Sequence, residues 1–140
     1  MLKIVRVCPE THERTLTELM RRTFCASDIE RKKTTDGMWW IVRDGNVPVG
    51  FACLGQFRKE PHTAYLYLSG VIEKYRGRGI QRRLISVRVQ AARRAGFKTL
   101  VSETFHNPQS ANNLIACGFR MFDPKRKWSA YGACYWTREL

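Results

Sequence analysis

The chain has no apolar run approaching the roughly 20 residues that span a bilayer, so a helical membrane protein is not expected. Its opening, MLKIVRV, is too short and too charged for a signal peptide, and a cytoplasmic location is the expectation. There is no CxxC pair. The five cysteines, Cys8, Cys25, Cys53, Cys117 and Cys134, are odd in number and lack a histidine at metal-ligand spacing, which speaks against a disulfide framework and against a metal site. Reduced thiols packed as small hydrophobes are expected instead. Repeats, low-complexity tracts and Pro/Ser-rich linkers are also missing, and 140 residues leave no room for a second sizeable core. One domain over residues 1–140 is therefore expected.

Acidic side chains are scarce: 12 Asp and Glu stand against 25 Lys and Arg, for a net charge of +13. The imbalance is uneven. Residues 1–70 carry eleven basic and eight acidic side chains, whereas residues 71–140 carry fourteen and four. From Lys74 to Lys98 nine basic residues occur without one acidic residue. Such a field attracts polyanions, acidic proteins or anionic cofactors, and a solvated basic helix face would look the same.

What is present is periodic. LKIVRV at 2–7 alternates like a half-buried strand. Pro9 suits a helix start, Glu10 and Glu13 its first turn, Leu16, Leu19 and Met20 its apolar stripe, and Arg21 and Arg22 its last turn. Strand-like runs at 38–43 and 47–56 flank Asp44-Gly45-Asn46, a hairpin signal, and a third run at 63–71 extends the meander. Ile80, Leu84, Val87 and Ala91 then fall on one helix face ending at Gly96. The run 97–105 reads as a strand parallel to 63–71 through that helix, a βαβ crossover. Asn107 as N-cap, Pro108 and Gly118 delimit a short helix, and FRMF with GACYWT at 132–137 closes as a hairpin. The class is mixed α/β, or α+β.

The chemistry-bearing feature is RGRGIQ at 76–81, between a strand and a basic helix. Gly77 and Gly79 permit a tight turn, and the free amides at the helix start can receive phosphate oxygens with the helix dipole behind them. It is not a dinucleotide fingerprint, because Arg82 stands where GxGxxG needs glycine.

The segment VIEKYRGRGIQRRLI resembles the acetyl-CoA-binding motif of the GNAT-type N-acetyltransferases, [QR]xxGx[GA]. Arg76 and Gly79 match the pattern, while Gln81 replaces its Gly or Ala. Downstream, Asn107, Ser110 and Gly118-Phe119 are similar to the family's N-x-x-[AS]…GF signature. The resemblance implies the GNAT acyltransferase fold: a mixed central β-sheet of about six to seven strands with a splayed parallel pair, flanked by three to four helices. It implies acetyl-CoA as cosubstrate, with pantetheine along Val71 and pyrophosphate on the amides of the glycine turn. The cofactor-binding residues it implies are Val71, Ile72, Glu73, Arg76, Gly77, Arg78, Gly79, Ile80, Gln81, Arg82, Asn107, Ser110 and Asn113, and no metal. Acetyl transfer then runs directly to an amine, with no acylated enzyme.

Many family members carry tyrosine four residues before the GF pair, as the acid for the departing thiolate; here that position is Leu114. Ser110, Tyr131 and Tyr135 are the alternative donors. A thiol of ordinary pKa about 8.5 is also a tolerable leaving group without an acid. For the base, Glu103 comes first because it lies late on the strand expected to line the gap, followed by His106 and Glu73. Glu103 paired with a neighbouring arginine is the structural alternative. Trp39, Trp40, Tyr65, Tyr67, Trp128, Tyr131 and Trp136 read mainly as core, although PKRKW at 124–128 mixes bases and an aromatic as a substrate rim does. One coenzyme does not consume the positive charge of the second half, so the acceptor, a small molecule or protein amine, is expected to be anionic. A nucleic-acid-binding module, or an acetyltransferase acting on nucleic acid, remains the rival. Monomer and homodimer both stay open.

Overall fold

The computed structural model describes residues 1–23 and 37–140. Among these residues seven strands form one sheet in the order β1-β2-β3-β4-β5-β7-β6. They are β1 (Leu2–Val7), β2 (Met38–Asp44), β3 (Val47–Gln56), β4 (Thr63–Val71), β5 (Thr99–Thr104), β6 (Arg120–Phe122) and β7 (Cys134–Glu139). Three helices among the described residues accompany them: α1 (Glu13–Thr23), α2 (Ile80–Arg94) and α3 (Pro108–Ala116). A 3-10 turn at Glu73–Tyr75 leads from β4 towards α2. Every neighbouring pair is antiparallel except β4 and β5, which α2 connects as the expected crossover.

Local chemistry explains most boundaries. Gly45 at φ +59° and Asn46 make the two-residue turn between β2 and β3. The helix expected from Pro9 begins four residues later, at Glu13. Three side chains hold 8–12 in a turn instead: the Cys8 thiol donates to Glu10, and Thr11 and His12 both contact the Cys8 carbonyl. The last strand likewise starts at Cys134 rather than 132. Cys8 is exposed, Cys53 is buried, Cys117 and Cys134 are half-buried, and Cys25 lies outside the described residues.

The apolar face of α2 is wider than the stripe through Ile80, Leu84, Val87 and Ala91. Ile80, Leu84, Ile85, Val89 and Ala92 are buried, Val87 and Ala91 only half-buried, and Arg88 is buried with them. The reason is that α2 packs against the sheet on one side and α3 on another, so two stripes are covered. Each buried Leu or Ile contributes about 1.5–3 kcal/mol by leaving water.

Two irregularities position the site. Ala52 pairs Ser69 but Leu54 pairs Leu66, so β4 spends one residue more than β3 over this stretch and bulges. Opposite the bulge, Gly55 leaves room for the Tyr67 ring, which a β-carbon there would overlap. The second irregularity is the parallel ladder itself, which holds only three register pairs, Thr63–Thr99, Ala64–Leu100 and Tyr65–Val101.

Candidate active site

Beyond Tyr65 and Val101 the strands β4 and β5 diverge, while their outer edges stay paired to β3 and β7. The inner edges, 66–71 and 102–104, thus border a cleft of about 1030 Å³. Its floor and sides include Gln81, Ile85 and Arg88 of α2, Ser110, Asn113 and Leu114 of α3, and residues 128–130. A smaller cleft of about 360 Å³ runs from Gly70 and Val71 past Tyr75 to the glycine turn. Ser69, Gln81, Asn107, Ser110 and Asn113 line both, so the two form one passage.

The glycine turn is built from backbone. Gly77 and Gly79 stand at φ +77° and +76°, the left-handed region that an L side chain enters only at a cost of about 1–2 kcal/mol. A β-carbon on either would meet nothing within 4 Å, so the conformation, not crowding, demands glycine, and the space above the turn is open. Gly79 caps α2 without any side-chain hydrogen bond, and the first helical bond runs from the Arg83 amide to the Gly79 carbonyl. The amides of Ile80, Gln81 and Arg82 precede that bond and are available to an anion. Side chains brace this frame. Arg76 Nε donates to the Val71 carbonyl at 3.1 Å, Arg82 Nε to Asn113 Oδ1 at 3.0 Å across to α3, and Ser69 Oγ to Gln81 Oε1 at 3.1 Å. Tyr75 donates to Asp44 at 2.6 Å, which with the N-terminal ammonium holds the Asp44 carboxyl below the usual range. Arg78 lies over the Tyr75 ring, 4.7 Å from its centre.

At the other end of the passage, Glu103 receives hydrogen bonds from the Tyr65 hydroxyl and from Trp128 Nε1, the latter at 3.0 Å. Burial, then the Glu103 carboxylate, push the Tyr65 hydroxyl well above the ordinary tyrosine range, so it remains a donor. Trp128 is wedged edge-on against Phe57 and Tyr135, with ring centres 4.9 Å and 4.5 Å away. These contacts fix the carboxylate facing the cleft. Among the described residues Glu103 has no arginine or lysine partner, contrary to the ion-pair alternative.

Of the residues singled out from sequence, Val71, Arg76, Gly77, Gly79, Ile80, Gln81, Arg82, Asn107, Ser110 and Asn113 line the passage, and Glu103 lines its wider end. Ile72, Glu73 and Arg78 do not line it; Ile72 is buried in the core and its amide bonds the Val49 carbonyl. His106 lies outside it as well, at φ +44° in the turn before α3. Tyr131 is fully exposed, and the Tyr135 hydroxyl is engaged by the backbone of Ser129. Sequence reasoning missed Tyr65, Tyr67 and Ser69 as a wall of the cleft. Their spacing of two along one strand was the available signal.

A family model described as Acetyltransferase (GNAT) family matches residues 3–119. Among solved structures the chain is similar to an IAA acetyltransferase from Bacillus cereus, with TM-score 0.78, 21% identity and 100% of both chains covered. A Bacillus subtilis acetyltransferase in complex with CoA gives 0.79 and 19%, covering 100% of this chain and 99% of that one. A GNAT family acetyltransferase from Elizabethkingia anophelis with acetyl-CoA bound gives 0.76 and 20%, covering 99% and 98%. No curated protein matches the sequence. The splayed parallel pair, the glycine turn that opens α2 and the family match over most of the length agree: the chain belongs to the GNAT family of acetyltransferases.

Proposed function

We propose that the chain, as a single domain over residues 1–140, moves the acetyl group of acetyl-CoA to a primary amine on an anionic acceptor. The observation that carries this reading is the three-pair ladder, which opens two unpaired strand edges into a passage that ends on free helix amides. An elongated ligand with an anionic end and an amide-bearing arm suits both halves. CoA and acetyl-CoA are bound by two of the structural relatives named above.

In this reading the amides of Ile80, Gln81 and Arg82 and the guanidinium groups of Arg76 and Arg82 hold the pyrophosphate. The backbone near Val71 pairs with the pantetheine arm, and Ser110 and Asn113 border it from α3. Acetyl-CoA supplies an activated thioester carbonyl. Glu103 takes the proton of the acceptor amine, directly or through water. An alkylammonium of ordinary pKa near 10.4 costs about 4.6 kcal/mol to deprotonate at pH 7, which is the work a positioned base relieves. Tyr65 and Trp128 keep its carboxylate in place, and holding amine and carbonyl together supplies effective molarity. Leu114 is buried and has no proton to give. The Ser110 hydroxyl, which makes no protein hydrogen bond among the described residues, is the donor within the passage.

The decisive experiment is calorimetric titration with acetyl-CoA at fixed salt, alongside a DNA duplex of matched charge. Stoichiometric binding of acetyl-CoA with weak, salt-labile binding of the duplex supports the acetyltransferase. Tight duplex binding without acetyl-CoA binding would overturn it in favour of a nucleic-acid module.

A further inference from the structure

Arg88 is anomalous among the nine basic residues between Lys74 and Lys98. It sits on the covered face of α2, 2% exposed, between Leu84 and Ala92. Its Nε donates to the Leu84 carbonyl at 3.1 Å and its Nη1 to the Cys53 carbonyl at 3.3 Å, beside the β4 bulge. No carboxylate pairs with it: among the described residues the ion pairs involve Asp44, Glu18 and Asp123 only. Burial alone pulls its pKa down to about 10, and no carboxylate counters that. Placing a guanidinium in such a position costs several kcal/mol, and an apolar side chain of similar volume would pack there more cheaply.

One guanidinium nitrogen is uncommitted. Nη2 has no hydrogen-bond partner among the described residues, yet no enclosed side-chain nitrogen or oxygen among them is left without one. Nη2 therefore meets open space, and the space it borders is the wide cleft between β4 and β5. Among the described residues two charged side chains line that cleft, Arg88 and Glu103, and Glu103 already accepts from Tyr65 and Trp128. The two N–H groups of Nη2 are left to donate, and a charged guanidinium donor suits a carboxylate, making charge-assisted hydrogen bonds of fixed direction that an ammonium does not.

We propose that Arg88 is a carboxylate-binding residue of the cleft, so that the ligand entering there carries a carboxylate group. This rests on the acyltransferase reading for the sources of that group: an acyl thioester whose acyl chain ends in a carboxylate, or an acceptor whose amine lies near one.

Matched probes that differ only in the carboxylate test the proposal. In one arm succinyl-CoA and acetyl-CoA are titrated by calorimetry; in the other, L-phenylalanine and 2-phenylethylamine, with and without CoA, since Tyr65, Tyr67 and Trp128 make the cleft aromatic. Both arms are run on wild type, Arg88→Met and Arg88→Lys. The carboxylated probe of at least one pair should bind about ten- to a hundredfold more tightly to wild type. Arg88→Met should erase that preference and Arg88→Lys restore part of it, and the arm in which this occurs names the source. Equal binding within both pairs, or a preference that survives in Arg88→Met, would overturn the proposal. Thermal melting supplies a second measurement. A residue kept for ligand binding leaves Arg88→Met with an unchanged or raised Tm, whereas a marked fall would assign Arg88 to bracing the Cys53 carbonyl. Failure of both CoA thioesters to bind, with a carboxylate preference still present in the phenylalanine pair, would count against the acetyltransferase reading and not against this one.

Discussion

The two ends of the passage are built on opposite principles. At the glycine turn the groups on offer are backbone amides, freed because two left-handed glycines, Gly77 and Gly79, bring the chain into α2 without a side-chain cap. The charged side chains there, Arg76, Arg78 and Arg82, are exposed. At the Glu103 end the groups are side chains, drawn from β4, β5, α2 and the segment before β7: Tyr65 and Trp128 hold Glu103, and backbone carbonyls hold Arg88. The first end is fixed by dihedral angles and tolerates change in its side chains. The second is fixed by packing and tolerates little. One end therefore suits a ligand part that never varies, and the other suits the part that distinguishes substrates.

Substitutions can break this contrast, beginning with the strongest. Gly79→Val forces a β-branched residue into φ +76° and should abolish the rise in Tm with acetyl-CoA. In wild type that rise corresponds to about 2.7 kcal/mol at a hundred times Kd. Gly79→Val that folds and still shows the full shift would remove the amides from the site. Arg76→Ala, by contrast, should weaken binding only partially. Glu103→Gln should lower kcat about 10²-fold or more with little change in acetyl-CoA affinity, and Tyr65→Phe should lower it less. Wild-type kcat in Glu103→Gln at pH 7 would leave Glu103 a structural acceptor for Tyr65 and Trp128.

A smaller effect concerns the exposed charge. Lys125, Arg126 and Lys127 precede Trp128 in the loop beside the cleft, and of these Lys127 lies 3.8 Å from Asp123. At saturating acetyl-CoA, the acceptor KM should rise from low to moderate salt, and the rise should flatten in the triple alanine variant, as screening over about 10 Å at 0.1 M requires. A flat response in both proteins would reduce these charges to a solubility feature. The smallest effect tests the bracing of the glycine turn. The Asp44 carboxyl is held below its unfolded value by Tyr75 and the N-terminus. The stabilisation is thus present above the unfolded pKa and lost as pH falls through the folded one. Tyr75→Phe should melt slightly below wild type at about pH 6, and the gap should narrow as pH falls below the ordinary carboxylate range. A gap that persists in acid would assign the effect to packing.

The same contrast governs what could be read beforehand. The glycine turn is contiguous in sequence, so Gly77, Gly79 and the helix that follows were legible, as were the meander, the crossover and Asn107 capping α3. Glu103 was legible by its place on β5, but not Tyr65 and Trp128, its partners, which lie 38 and 25 residues away. Arg88 illustrates the limit best. Its charge marks it as surface, and only its spacing of four from Leu84 and Ala92 hints at burial, a hint that the narrower stripe through Val87 and Ala91 concealed. The bulge in β4 was invisible, because one extra residue in a strand alters register without altering composition.

The parallel ladder of three pairs has one more consequence. Hydrogen exchange should divide the sheet there: amides of β2 and β3, paired on both sides, should exchange only through large-scale opening. Those on the inner edges of β4 and β5 past Tyr65 and Val101 have no partner strand among the described residues and should exchange with solvent quickly. A ligand whose arm pairs with these edges would slow them selectively, so the mass gained by peptides covering 66–71 reports occupancy of the gap without any knowledge of the acceptor.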